Sequence, residues 1–240
     1  MRSQVIPYRG AQRYYFGIMN VRHGALWAIL RKEVLSLHRT RHWIAAEVYF
    51  IVGAVLLVLF ALPPVALDSD VRAGLVWVVL YFAAMMTVAR TYAMEQDRGT
   101  LLYLMHTAPS DAVYWGKLVS SVCWVIAVGI VQWLLMGMVG LVQWGVAVAV
   151  AVVAGCAAIG GVTSLLAAIV ATTQLRSWVF VTLAFPVVLP IFFLAIESTA
   201  TALAGGSLGT IAPELGLMLL YTTIISIVAW WLFPSVWNQS

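Results

Sequence analysis

Many of the side chains able to do chemistry in this 240-residue sequence fall in one stretch, Arg90 to Lys117, which reads RTYAMEQDRGTLLYLMHTAPSDAVYWGK. It contains Glu95, Asp97 and Asp111 of the nine acidic residues and Arg90, Arg98 and Lys117 of the thirteen basic ones. These charges stand in the only long polar interruption between the first and last apolar runs. They do not suit a phosphate cradle: Asp111 to Leu118 reads DAVYWGKL, with Asp where a nucleotide-binding loop needs its first Gly and Leu where Ser or Thr should follow the Lys. The chain is therefore not expected to hydrolyse ATP itself. His23, His38, His42 and His106 all lie outside the apolar runs, and Cys123 and Cys156 lie inside them with no CxxC spacing. A surface role for the histidines and a small apolar role for the thiols are the simplest readings, with His106 as a haem or metal ligand the lesser one. No catalytic or metal-ligating set is expected.

The same stretch has a local grammar. Gly99 can end a helix that runs out to Asp97, and Thr100 can cap a short helix carrying Leu101, Leu102, Leu104 and Met105. Pro109 stops that helix, because it lacks a backbone donor and clashes with the preceding turn. Ser110 can cap the next, with Asp111 in the first turn where the helix dipole favours an anion. An apolar-faced helix held out on two arms wants a partner.

The elements that position this stretch follow from composition. With 63% hydrophobic and 9% charged residues, and a mean hydropathy of +0.99, the chain reads as an all-α polytopic membrane protein. Crossing the ~30 Å hydrocarbon core takes about 20 apolar residues. Six such runs occur: Trp43 to Leu62, Val71 to Ala89, Leu118 to Val139, Val142 to Val170, Trp178 to Ile196 and Ile211 to Phe233. With the N-terminus inside, every basic residue except Arg72 falls on the cytoplasmic side, while Asp68, Asp70, Glu197 and Glu214 fall outside. The positive-inside rule selects that orientation, with both termini cytoplasmic.

Residues 1–25 form a basic, aromatic arm without a clear period, and no cleavable signal is evident in them. Residues 26–42 place Leu26, Leu30, Val34 and Leu37 on one helical face against Arg31, Lys32 and Glu33, an amphipathic helix suited to the inner headgroup layer and so to membrane lipid. Residues 43–233 form the six-span domain, with 90–117 as its cytoplasmic loop, and 234–240 form a tail. Glu47, close to the start of the first span, is expected to be accommodated structurally. Ala151 and Gly155, and Ala157 and Gly161, permit close helix contact, most simply inside the bundle. Pro186 and Pro190 share a face of the fifth span and predict a kink. Glu197 is read as closing that span on the outer side, followed by a flexible stretch, Ser198 to Thr210, so that Glu197, Pro186 and Pro190 are candidates for an outer-side pathway. Trp230, Trp231 and Trp237 read as an inner aromatic belt.

Six spans, an amphipathic leading helix and a short helix between the second and third spans look like the permease half of an ABC exporter. Glu95, Gly99-Thr100-Leu101, Leu104, Pro109 and Gly116-Lys117, together with Phe185 to Ala195, FPVVLPIFFLA, resemble in order and spacing the CcmB family, the permease subunit of the cytochrome c maturation system. One departure is Leu102, at a position where members often carry an acidic residue. The resemblance implies a cytoplasmic coupling helix that meets an ABC ATPase, expected in two copies, through Glu95, Asp97, Arg98, Gly99, Thr100, Leu101, Leu104, Met105 and Pro109. It further implies a second membrane half, either another copy or a different haem-handling membrane protein, and a periplasmic haem chaperone. ATP would act through the partner subunit, and haem would be a transported or delivered ligand rather than a covalently bound cofactor. The implied location is the bacterial inner membrane.

Two other readings stay open on the residues alone. One is an ABC exporter permease for a drug, lipid or polysaccharide, since such exporters share parts of this loop. The other is a membrane scaffold that transports nothing, favoured by the lack of charge along the spans. Nothing in the sequence points to nucleic acid.

Overall fold

The computed structural model describes residue 31 and residues 41–62, 67–97, 110–172 and 177–237. They form six helices, α1 (Arg41–Ala61), α2 (Ser69–Asp97), α3 (Ser110–Met138), α4 (Val146–Thr172), α5 (Ser177–Leu203) and α6 (Leu208–Trp237). All six are long and apolar enough to cross a membrane, and no strand occurs among the described residues. The chain is a multi-pass membrane protein. α3 runs antiparallel to both of its sequence neighbours, because contacts pair its later part with the early part of α2 and of α4. Gln132 near the end of α3, for example, donates to the Val76 carbonyl near the start of α2 at 2.7 Å.

Among the described residues the bundle is centred on α4, which packs against α2, α3, α5 and α6, while α1 leans chiefly on α2 and α3. Small residues make this centre possible. A Cβ on Gly155 would collide with the Trp77 ring of α2, and one on Gly160 would stand 2.9 Å from the Val122 Cα of α3. On Gly161 it would meet Thr222 of α6 at 3.1 Å. The expected close contact along α4 is thus intramolecular and involves three neighbours. Large apolar side chains of α1 and α6, such as Phe60 and Leu219, face outward, as they must in a solvent of acyl chains.

Two helix ends are set by the same device. At Gly140, φ +74°, the Leu141 N–H returns to the Met136 carbonyl at 2.9 Å. At Gly205, φ +91°, the Gly206 N–H returns to the Thr201 carbonyl at 2.9 Å. Both are Schellman ends, with glycine in the left-handed conformation that a Cβ disfavours. The first folds Leu141 and Val142 back against the bundle, so α4 begins at Val146 instead of at Val142. The second corrects the reading of Ser198 to Thr210 as an outer loop, because α5 continues to Leu203 and only 204–207 link it to α6. Ser198 and Thr199 are fully buried there, and the Trp77 indole donates to the Thr199 hydroxyl at 3.0 Å. A polar residue with a partner across the bundle does not end a helix.

Candidate functional site

The helices that bracket the charged stretch end where local chemistry says they should. α2 runs to Asp97 and so carries Glu95 and Asp97 in its last turn, and α3 begins at Ser110 with Asp111 next. The apolar run of α2 ends at Ala89, so its remaining eight residues, to Asp97, continue for about 12 Å at ~1.5 Å per residue. Arg98, Gly99, Thr100, Leu101, Leu104, Met105 and Pro109 lie outside the described residues.

The far side of the stretch is rooted more deeply than its polarity implies. Ala112, Val113 and Tyr114, in the first turns of α3, are buried. The Tyr114 hydroxyl donates to the Ser226 carbonyl of α6 at 3.0 Å, and its ring lies 5.4 Å from that of Phe233. Lys117, read from sequence as the inner boundary of a loop, is fully buried in the second turn of α3. Burying an ammonium is costly unless partner groups meet it, and Lys117 does have interactions where it lies. Within 90–117, helix thus accounts for both flanks, to Asp97 and from Ser110, and 98–109 lie outside the described residues.

From Lys117 a polar row continues up one face of α3, through Ser121 and Trp124 to Gln132. Trp124 donates its indole N–H to the Glu47 carboxylate of α1 at 3.1 Å, and Glu47 is only 4% exposed. That bond is a polar clasp on a helix otherwise held by few neighbours, and it accounts for an acid inside the first span. Ser121 Oγ and Gln132 Oε1 are buried without a hydrogen-bond partner. The row had a signal in the sequence, polar residues recurring at helical spacing along one span, which the dominant apolar pattern masked.

On the opposite side of the bundle, Pro186, Pro190 and Glu197 do share a face of α5, together with Phe193. All four are exposed, so the stripe looks away from the interior. The helix continues through both prolines, and the Val187 carbonyl, next to the first of them, accepts a bond from the Tyr221 hydroxyl at 2.9 Å. Among the described residues no group of three His, Cys, Asp or Glu could hold a metal ion. Cys123 faces outward and Cys156 is buried against Gly129.

Six helices long and apolar enough to cross a membrane make the chain a multi-pass membrane protein but do not say of which kind. A protein-family model described as "CcmB protein" matches residues 24–234. The chain belongs to the CcmB family. It is accordingly an ABC-transporter permease-type subunit of the cytochrome c maturation system. CcmB subunits are membrane permeases and not a catalytic family, and their membership implies partnership with an ABC ATPase and other components of that system. The match runs through both residues 98–109 and the α5 proline segment. No curated protein matches the chain.

Proposed function

We propose that this CcmB-family chain is the non-catalytic permease half of an ATP-driven complex that exports haem, or releases a haem-loaded chaperone, during cytochrome c biogenesis. The observation that carries the reading is the family match over residues 24–234. The end of the bundle holding Arg41, Arg90, Lys117 and Arg176 faces the cytoplasm of a bacterial inner membrane in this reading, as the charge distribution favours. A partner ATPase docks on the segment between α2 and α3, with Thr100 to His106 as the coupling helix. Two features support a mechanical role for that loop. One strut, α2, is helical well past its apolar section, and the other, α3, is pinned by Tyr114 to α6 within two turns of its start. Motion delivered there would reach the bundle with little slack. The outward stripe of Pro186, Pro190 and Glu197 would line a pathway only when a second membrane half closes it.

Leu104→Glu puts a charge on the proposed docking face while leaving the six spans untouched. The expected result is an ATPase subunit that no longer co-purifies, or an ATPase rate that no longer responds to the membrane half, with normal membrane insertion. Retention of both would remove the docking assignment. Deleting the gene should lower holo-cytochrome c, and normal holo-cytochrome levels would reject the haem assignment while sparing the ABC architecture.

A further inference from the structure

The outward face of α5 carries hydrogen-bond acceptors that no donor meets. Phe185 and Phe193 are 50% and 69% exposed, and Pro186, Pro190 and Glu197 are exposed beside them. Each proline lacks an N–H, so the carbonyls four residues earlier, of Thr182 and Pro186, lose the donor that an unbroken helix supplies. Tyr221 of α6 meets the neighbouring Val187 carbonyl at 2.9 Å, but among the described residues no side chain donates to Pro186. Glu197 adds a charge to the same face, and it too has no partner among the described residues.

The carboxylate cannot simply reach the nearer membrane surface. Glu197 lies six residues, about 9 Å, before the end of α5 at Leu203. Thr199, closer to that end, is bonded to Trp77, eight residues into α2. Side chains on a helix tilt toward its N-terminus, which for α5 is the far side of the bundle, so Glu197 is directed deeper. A lipid-facing anion at that depth is costly. Arg72 does not offset it: α2 starts at this end, so its side chains tilt the other way, and Arg72 Nε donates to the Leu67 carbonyl at 2.8 Å. We propose that α5 docks a transmembrane helix of a different membrane protein, one that sets a Lys or Arg against Glu197 and a hydroxyl or amide donor about 16 Å deeper, at the Pro186 carbonyl. This rests on the permease reading and gives the second membrane half its chemistry. A second copy of the chain fits less well, because an isologous contact would turn these acceptors toward one another. Phospholipid fits less well, because its acyl chains hold no donor at the level of Pro186.

The test replaces Phe193, one turn from Glu197, with the photoreactive residue benzoylphenylalanine in the full chain, irradiated in its native membranes. The adduct should contain a membrane-spanning peptide of another polypeptide, and that segment should carry a Lys or Arg. Glu197→Gln should lower the adduct yield at least about tenfold, as removal of one member of a desolvated charge pair does. Glu197→Lys should abolish the adduct, and putting Glu in place of the partner's basic residue should restore it. Capture alone is not support; the restored yield is. Adducts with a second copy or with lipid only, a captured segment without Lys or Arg, or a yield indifferent to Glu197→Lys overturn the proposal. Co-purification of the ATPase separates the two readings: an ATPase retained beside a self or lipid adduct sinks this inference and spares the permease, whereas loss of the permease assignment shows as no ATPase at all. Should a Glu197 variant not insert, the identity and charge of the segment captured without that change decide.

Discussion

At Gly160 a hydrogen atom takes the place where any other residue would carry a side chain into α3. A Cβ there would approach Val122 Cα at 2.9 Å and Val122 N at 3.3 Å, and both are backbone atoms that cannot rotate away. Gly160→Ala is therefore expected to cost about 1–3 kcal/mol, the usual range for overpacking a tight contact. Gly74→Ala, with nothing within 4 Å of the new Cβ, should be close to neutral. Thermal unfolding in a common detergent compares the two. Trp124→Phe removes the indole that donates to Glu47 and should cost about 1–2 kcal/mol, at the upper end for a hydrogen bond between membrane helices. Glu47→Gln, which keeps a carbonyl oxygen as acceptor, should cost less than Trp124→Phe in the same denaturant titration. The spacing of Ala151, Gly155, Ala157 and Gly161 was legible in the sequence, but Gly160 was not. Small residues four apart mark a face for close approach without saying which helix approaches it, and the residue that meets backbone is decided by the crossing angle.

Among the elements, hydropathy located every span, and cap chemistry located the ends of α2 and α3 to the residue, at Asp97 and Ser110. The end of α5 was the failure. Ser198, Thr199 and Thr201 look like loop residues on composition, yet the first two are buried and Thr199 answers Trp77 from across the bundle. Local propensity has no access to a partner that lies 122 positions away. Lys117 and the polar row above it were obscured similarly, since burial of a charged or amide side chain is a property of the packed bundle. The two Schellman ends give an element-level prediction. Gly140→Ala and Gly205→Ala force a Cβ into left-handed backbone and should each cost about 1–2 kcal/mol. Gly53→Ala, in α1 with open space around it, serves as the reference in the same unfolding assay.

For the molecule as a whole, the charge asymmetry makes a topological prediction. Ser207 is exposed in the α5–α6 link, so Ser207→Cys should react with a membrane-impermeant thiol reagent in intact cells. Asn238→Cys should react only after the membrane is opened, and the reverse pattern would invert the orientation assigned above. The native thiols do not confuse the reading, since Cys156 is buried and Cys123 lies within α3, facing away from the bundle. One contact also bears on how such a bundle could move. Where Gly160 meets Val122, no layer of rotamers separates the two main chains, and a joint without soft padding cannot soak up a small displacement. A shove against the first turn of α3 would thus drag α4 along as part of one slab, and the hinges of this subunit should be sought at the rim of that slab, where α1 is clipped on by its tryptophan–glutamate clasp.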